Sequence, residues 1–455
     1  MFPAFAQSVV PIDSNEYHEA DQYNQMQDWE ASTHPSKSLE ARIAELEAKV
    51  GESEKAKKKL PNVTVNGVFQ ADAVLFNQTP ENRDAYGSIE NGADFRRARL
   101  SAKGAVADNM NYFMQMDFGF FGRPTFTDVW VDFTDRPVLG NVRIGQWKQP
   151  FGLEVVSSFR YTTFMERSSL FQAFTPFRHL GVGFYDHAQD LNSTWAMSYF
   201  RTGQDQFGSS LSTDGGNGLA GRLTHLLLHD GAKGEDFLHI GAGYYLNSPP
   251  RGTARFRSIP EIFVGEFAPG GVGTSGQAVP GVLNGTPFFV DTQSIVNVDH
   301  VQTFGLESLW VRGAFSLQSE GMAAVVDQSI APSSTFRGAY TQAGYFLTGE
   351  HRPYDRIAGA IDRVIPKCSF GKCGGIGAWE IATRWSYIDL NDNLINGGNM
   401  QNVTGGLNWY VNPYCKCVFN YIHSWVDGHD FFPSSTNVAI KSQADAFAMR
   451  CQLDF

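Results

Sequence analysis

The sequence contains no long apolar run and little charge for its length. A membrane-spanning helix needs about 20 consecutive apolar residues, and no such run occurs in the 455 residues, whose mean hydropathy is −0.26. Charged residues make up 18% of the chain and aromatic residues 13%, a composition unlike that of a disordered tail or a coiled-coil rod. The chain is therefore neither a helical membrane protein nor a fibrous one.

Basic residues and catalytic motifs are also scarce. The chain has 36 Lys and Arg against 47 Asp and Glu, a net charge of −11, which argues against a nucleic-acid binder with a large basic face. His-Glu-x-x-His, P-loop and Gly-x-Ser-x-Gly patterns do not occur. A Gly-x-Gly-x-x-Gly pattern begins at Gly271, but it neither follows a strand nor opens a helix, so we discard it. We predict no enzymatic activity and no cofactor.

Cysteine is rare and odd in number, with five residues. Cys368 and Cys373 flank a Gly-containing turn and could close a small disulfide in an oxidising periplasm. Cys415 and Cys417 lie on one strand face, where neighbours point the same way and bond poorly, and Cys451 follows near the end. No histidine spacing supports zinc. We predict no metal, and stoichiometric zinc in the purified protein would contradict this.

The first 60 residues differ in composition from the rest. Residues 1–37 are polar without an apolar period, so we expect disorder; residues 4–6 have the small-x-small form of a signal-peptide cleavage site, and 1–6 would be its remnant. Residues 38–60 predict a short coiled-coil helix and a basic linker. The helix would need a partner chain or a larger body for stability, or would lie alone on the remaining chain. Its seam positions are Leu39, Ile43, Leu46 and Val50.

From residue 61 to residue 455 the dominant pattern is alternation of apolar and polar residues, which is typical of strands with two different faces. The last nine residues show it most clearly, and Gly, Asn, Asp and Pro clusters separate many similar segments. The apolar positions of the last strand are Phe447, Met449, Cys451, Leu453 and Phe455, and the polar side carries Arg450, Gln452 and Asp454.

The composition of the two faces separates a soluble sandwich from a membrane barrel. The apolar faces are rich in Phe, Tyr, Trp, Met and Leu, whereas the polar faces carry Arg, Gln, Asp, Asn and Gly, as in a barrel with lipid outside and a wet lumen. Closure leaves no unpaired strand edge in hydrocarbon. The sequence thus predicts an all-β fold, a closed antiparallel transmembrane β-barrel over 61–455. Sixteen strands would give roughly 25 residues per strand and connection; fourteen or eighteen also fit.

One predicted strand is rich in cations. Arg97, Arg99, Ser101 and Lys103 share one face at steps of about 6.7 Å, and Arg96 directly precedes them. Such a face could line a lumen and select anions. The alternative is that these cations pair with acidic neighbours and only brace the wall.

A second group of cations opens a long loop that runs to about residue 298. Arg251, Arg255 and Arg257 lie in a Pro- and Gly-rich stretch, and loops of this length are commonly functional or disordered. Folded into the barrel, the loop would present guanidinium groups suited to phosphate-like anions. The alternative is a flexible external loop with solvated arginines.

Several motifs, in the same order along residues 62–455, resemble the phosphate-selective porin O and P family. They are Asp94-Phe-Arg-Arg-Ala-Arg-Leu100, Ile144-Gly-Gln-Trp-Lys-Gln-Pro-Phe-Gly-Leu-Glu154, Thr163-Phe-Met-Glu-Arg167, Tyr345-Phe-Leu-Thr-Gly-Glu350, Gly377-Ala-Trp-Glu380 and Leu407-Asn-Trp-Tyr410. The resemblance implies a sixteen-stranded outer-membrane barrel, usually a homotrimer, that passes anions along an arginine ladder. It implies no cofactor.

The resemblance also assigns residues to the narrow part of the pore. Arg96 and Arg97 match the family's Arg-Arg pair, Arg167 its constriction arginine, and Asp128 its constriction aspartate; the long-loop arginines 251, 255 and 257 resemble the ladder. The chain departs from the family elsewhere. It has Val68 where the first strand carries an arginine and Val155 where a lysine is expected, and mouth lysines between 320 and 340 are missing. These departures weaken a strong phosphate preference more than anion passage.

Together these observations predict a bacterial outer-membrane porin with a periplasmic N-terminal segment. It would pass small anions, phosphate or polyphosphate among them, through an arginine-lined constriction, with outer-membrane lipid and two further copies as partners and no nucleic acid. One alternative is a broad-specificity diffusion porin. Another is a non-conducting surface or adhesion protein that uses the barrel as an anchor.

Overall fold

The computed structural model describes residues 60–119, 124–203, 215–230, 234–264, 286–372, 374–429 and 439–455. The polar segment 1–37 and the helix and linker predicted for 38–60 lie outside these residues, except Leu60, and stay predictions. Among the described residues, no helix is both long and apolar enough to span a membrane.

Sixteen antiparallel strands close into one barrel, as the alternation predicts. They are β1 Thr64–Gln78, β2 Gly92–Ala107, β3 Met110–Asp117, β4 Thr125–Arg136, β5 Gly140–Lys148, β6 Arg178–His187, β7 Ser193–Arg201, β8 Asn217–Asp230, β9 Asp236–Ser248, β12 Val298–Arg312, β13 Phe315–Gln328, β14 Ser334–Phe346, β17 Ala378–Asp392, β18 Ile395–Asn412, β19 Cys415–His429 and β20 Ala439–Asp454.

Two short strand pairs and short helices lie in the connections. The pairs are β10 Arg257–Ser258 with β11 Val290–Asp291, and β15 Tyr354–Asp355 with β16 Ala360–Ile361. The α-helices are α1 Pro80–Tyr86, α2 Leu153–Val156 and α3 Ser169–Phe174, and residues Pro250–Gly252 form a 3-10 turn.

Side chains of the wall alternate between lipid and lumen. In β20, Phe447 and Met449 are 54% and 46% exposed, whereas Arg450 is 1% exposed. Apolar residues on the outer face contact the lipid hydrocarbon, and the polar residues between them make hydrogen bonds and ion pairs inside the barrel. The polar side predicted from the last nine residues is therefore the lumen side.

The first and last strands complete the cylinder. β1 pairs with β20 from Val68 opposite Asp454 onward, and the backbones of Gly67 and Phe455 exchange two hydrogen bonds of 3.0 Å. The Phe455 ring lies over Gly67, in space that a side chain there would occupy. A side chain at position 67 would therefore have to displace the terminal aromatic ring.

Replacing Gly67 by valine should loosen this seam. The added side chain would displace the Phe455 ring from its place over the seam. We expect the folded barrel to lose its fast electrophoretic mobility in SDS at a lower temperature. Ala73→Leu on the same outer face is the control, because Ala73 borders an open groove; equal effects of both changes would contradict the role of the ring.

The connections at the two ends of the barrel differ. At the end where both termini of the barrel lie, which we call the termini end, all connections are short except residues 347–377 between β14 and β17. At the opposite, far end, residues 149–177 join β5 to β6 and residues 249–297 join β9 to β12. The described parts of these three segments fold into the lumen, as their contacts show.

Segment 149–177 enters the lumen where its Phe151 ring packs on two glycines of neighbouring strands. Gly243 of β9 lies opposite Gly305 of β12, and a Cβ on either would come within 2.9 and 3.0 Å of the Phe151 ring, which is fully buried. The backbone N–H groups of Leu153 and Glu154 then donate to the Glu320 carboxylate of β13 at 2.9 and 2.8 Å.

The same segment continues to the opposite wall. The Met165 N–H donates to the Asn420 side chain at 2.9 Å, and the Lys416 ammonium donates to the Thr162 carbonyl at 2.9 Å. Arg450 of β20 binds Glu166 at 2.8 Å. Segment 149–177 is thus held by inward side chains of strands on both sides of the barrel, and it narrows the lumen at its middle.

The other two segments narrow the lumen from each end. From the far end, Glu261 of segment 249–297 accepts from Ser169 N–H at 2.8 Å and pairs with Arg384 at 2.6 Å. From the termini end, the Gly359 carbonyl of segment 347–377 accepts from Arg222 of β8 at 2.7 Å. Space remains in the lumen along the wall made by β2 to β8.

Candidate functional site

The arginine pair of β2 points into the lumen because the strand bulges there. Strict alternation would send Arg96 to the lipid side. Gln70 of β1 pairs with Arg97, however, and the next pair involves Phe95, so Arg96 is an extra residue. Both guanidinium groups then reach Glu166 of segment 149–177, with N···O distances of 2.9 Å from Arg96 and 3.5 Å from Arg97.

Arg99 continues the row toward the termini end. Its guanidinium pairs with Asp117 of β3 at 2.7 Å. The Phe159 ring of segment 149–177 contacts both Arg97 and Arg99, with guanidinium carbons 4.8 and 4.6 Å from the ring centroid. An aromatic face attracts cations, so Phe159 holds the two arginines in place and leaves their remaining N–H groups to other acceptors.

Asp128 also owes its orientation to a bulge. Two residues, Thr127 and Asp128, lie opposite Gln115 of β3, and both are buried. Asp128 pairs with Arg178, the first residue of β6, at 2.7 Å. The sequence analysis named Asp128 but not its partner.

Lys148 and Arg167 differ from Arg96, Arg97, Arg99 and Arg178 in that their hydrogen bonds go to backbone carbonyls. The Lys148 ammonium donates to the carbonyls of residues 155–157 at 2.7 to 3.0 Å. Arg167 donates to the carbonyls of Glu154 at 2.6 Å and Ser157 at 3.0 Å. Within the described part of the chain no carboxylate oxygen lies within 4.0 Å of either cation. Their charge therefore stays uncompensated by a direct ion pair.

Two cavities lie on either side of the Asp128–Arg178 pair. The one on the far side has a volume of about 360 Å³, and its charged lining comprises Arg96, Arg97, Arg99, Arg167 and Arg178 with Asp117, Glu166 and Glu261. The one toward the termini end has a volume of about 290 Å³, and its charged lining comprises Arg143, Lys148 and Arg222 with Asp128 and Asp186. Each cavity thus has more cationic than anionic side chains.

The remaining cations named from the sequence lie elsewhere. Arg255 pairs with Asp291 at 2.5 Å, and Arg257 stacks 4.2 Å above the Phe288 ring. Arg251 and Lys103 are exposed. None of Arg251, Arg255, Arg257 and Lys103 is among the residues that line the two cavities.

Four further cations line the two cavities and were not predicted from the sequence: Arg143, Lys148, Arg178 and Arg222. Lys148 lies within the Gly-Gln-Trp-Lys-Gln-Pro-Phe-Gly motif. Its ammonium group donates to the carbonyl of Val155, the residue that stands where a lysine is expected from the family. Arg143 of β5 pairs with Asp132 of β4 at 2.6 Å. This pair could have been predicted, because each residue lies at an inward position of one of two consecutive strands. No sequence signal marked Arg178 or Arg222.

Comparison with known proteins places the chain in a family. The family described as "Phosphate-selective porin O and P" matches residues 63–455. An uncharacterized protein of Caulobacter vibrioides is 26% identical over 72% of this chain, which spans only 62% of that relative's length. Porin O of Pseudomonas aeruginosa is 26% identical over 81% of this chain and 83% of its own.

Solved structures show the same fold. The anion-selective porin from Comamonas acidovorans has a TM-score of 0.51 at 10% identity and covers 87% of this chain and 99% of its own. OmpT of Vibrio cholerae, in a trimer form, has a TM-score of 0.50 at 11% identity, with the same coverage. The sixteen-stranded barrel, its lumen segments and the match across residues 63–455 make this chain a member of the phosphate-selective porin O and P family, located in the bacterial outer membrane.

Proposed function

We propose that this chain is a porin rather than an enzyme and that it passes small anions through the constriction between the two cavities, with phosphate or polyphosphate as solutes. The observation that carries the proposal is the excess of cations along the passage, five arginines against three carboxylates in the larger cavity. The whole chain carries −11, so this local excess opposes the overall charge. Lys148 and Arg167 supply charge that no ion pair removes.

The proposed mechanism is passive. Guanidinium and ammonium groups replace part of the hydration shell of an anion, and several weak sites in succession allow it to leave again. Planar guanidinium groups suit oxyanions because two N–H donors can face two oxygens. Asp128 lowers the affinity for an anion near Arg178, because its carboxylate repels the anion.

The departures from the family favour weak rather than tight phosphate binding. Arg337 is the single cation between residues 320 and 340. Its side chain is 72% exposed, whereas the neighbouring Phe336 is fully buried on the inner face of β14. Arg337 therefore points outward rather than into the mouth of the pore. A broad-specificity diffusion porin is the second candidate, because Arg96, Arg97 and Arg99 are each close to a carboxylate.

The OmpT structure is described as a trimer, and we propose a homotrimer for this chain as well. Crosslinking in outer membranes followed by mass determination would test it.

Planar-bilayer recording of the purified protein separates the candidate functions. A salt gradient should give an anion-over-cation permeability ratio well above one, and added phosphate should reduce chloride conductance because both anions compete for the same cations. Equal permeability to chloride and potassium would support the diffusion porin and contradict the proposal. A folded protein without conductance would support the surface protein instead.

A further inference from the structure

Three thiols lie together on the outer face of the last two strands. Cys415 and Cys417 belong to β19 and Cys451 to β20, and all three are present as thiols of intermediate exposure. They alternate with inward residues such as Lys416, which is 5% exposed, and Arg450, which is 1% exposed. The thiols therefore take no part in lining the passage.

The strand register distinguishes the three possible pairs. Cys417 lies directly opposite Cys451, whereas Cys415 lies opposite Leu453, and the Cys451 thiol is within hydrogen-bonding reach of both other thiols. Directly opposed residues have Cα atoms about 4.5 to 5.5 Å apart, inside the range of about 4.4 to 6.8 Å that a disulfide needs. Diagonal neighbours are about 7 to 8 Å apart, which disfavours Cys415 as the partner.

The cluster lies near the termini end of the barrel. Cys415 is the first residue of β19, after the short connection 413–414, and Cys417 is about 7 Å further along the strand. Both lie at the termini end, as does Cys451. Short connections are typical of the periplasmic end of an outer-membrane barrel, and the bacterial periplasm is oxidising.

We propose that Cys417 and Cys451 are an oxidation site, which forms a disulfide between β19 and β20 and leaves Cys415 as a thiol. The oxidant is a disulfide of an envelope thiol–disulfide oxidoreductase. The Cys417 thiolate attacks it and forms a mixed disulfide; the Cys451 thiolate then attacks the Cys417 sulfur and releases the oxidoreductase. One S–S bond forms and one breaks, and the two electrons and two protons lost by the barrel thiols leave the oxidoreductase with two thiols.

The disulfide would add a covalent link between β19 and β20, which are otherwise joined by noncovalent contacts such as the backbone ladder and the Tyr421–Asp445 hydrogen bond of 2.8 Å. β20 is also the strand that pairs with β1. Holding β20 to β19 therefore keeps in place the strand on which closure depends.

Trypsin separates the three cysteines, which makes the pairing directly readable. It cleaves after Arg384, Lys416, Lys441 and Arg450, so the cysteines fall on peptides 385–416, 417–441 and 451–455. Protein recovered from outer membranes with iodoacetamide present should yield 417–441 linked to 451–455, separable by reduction, and 385–416 alkylated on Cys415. Cys451 recovered alkylated, or linked to 385–416, would overturn the proposal.

Two serine variants give a matched comparison. Cys417→Ser should make Cys451 available to iodoacetamide, whereas Cys415→Ser should leave the link between 417–441 and 451–455 intact. The Cys417→Ser variant must lose that link, so its loss in the Cys415→Ser variant as well would overturn the assigned pairing. The mass measurement on the unaltered protein decides the proposal even where a variant fails to fold.

Discussion

Replacing Lys148 and Arg167 together by glutamine should remove most of the anion preference of the channel. Within the described residues these two cations have no direct ion pair at the proposed constriction, whereas Arg178 is paired with Asp128 at 2.7 Å. Two unit charges 4 Å apart interact by about 4 kcal/mol at an effective dielectric constant of 20, and about 1.4 kcal/mol corresponds to a tenfold change. We expect the anion-over-cation permeability ratio in planar bilayers to fall by about tenfold or more.

Arg337→Gln is the matched control for charge. It removes one positive charge from the outer face of β14, where the side chain is 72% exposed, so the permeability ratio should stay as in the unaltered channel. Glutamine at position 148 can still donate to the carbonyls of residues 155–157, which preserves part of the local structure. A ratio unchanged in the double variant would remove Lys148 and Arg167 from the mechanism.

Replacing Gly305 by leucine should open the channel. The Phe151 ring packs on Gly305 and on Gly243 opposite it, and a Cβ at Gly305 would already come within 3.0 Å of that ring. A leucine side chain would displace the start of segment 149–177 and disturb the contact of Leu153 with Glu320. Single-channel conductance should rise severalfold and ion selectivity should weaken, because segment 149–177 is no longer held in the position where it narrows the lumen.

Gly405→Leu is the control for this substitution. Gly405 lies in β18, and a Cβ there would meet no atom within 4 Å, so the same change should leave conductance unaltered. Fluorescence of a dye on segment 149–177 would report the displacement separately from the current. Unchanged conductance in a folded Gly305→Leu barrel would show that Phe151 does not position the segment.

The barrel itself could be predicted from the sequence because strand alternation is a local property. Outward Phe, Leu and Trp side chains mostly alternate with inward polar residues regardless of what lies across the lumen. The length left fourteen, sixteen or eighteen strands open, and the resemblance to the family implied sixteen. The resemblance to the family likewise drew attention to Arg96, Arg97, Asp128 and Arg167, all of which the structure places around the two cavities.

The arrangement inside the lumen could not be predicted in the same way. Bulges at Arg96 and Asp128 break the period of two, and a bulge depends on the register with the neighbouring strand. Segment 149–177 is held by residues such as Glu320 and Asn420, far away in sequence. The Cys368–Cys373 disulfide stays a prediction, since Cys373 lies outside the described residues.

Arg450 joins the wall to the narrowing segment at one point. Its guanidinium binds Asp72 of β1 and Glu166 of segment 149–177, both through charged oxygens within 2.8 Å. Arg450 belongs to β20, the strand that closes the barrel against β1. A barrel still open between β1 and β20 would therefore lack one anchor of segment 149–177, so closure of the wall and placement of this segment depend on the same side chain.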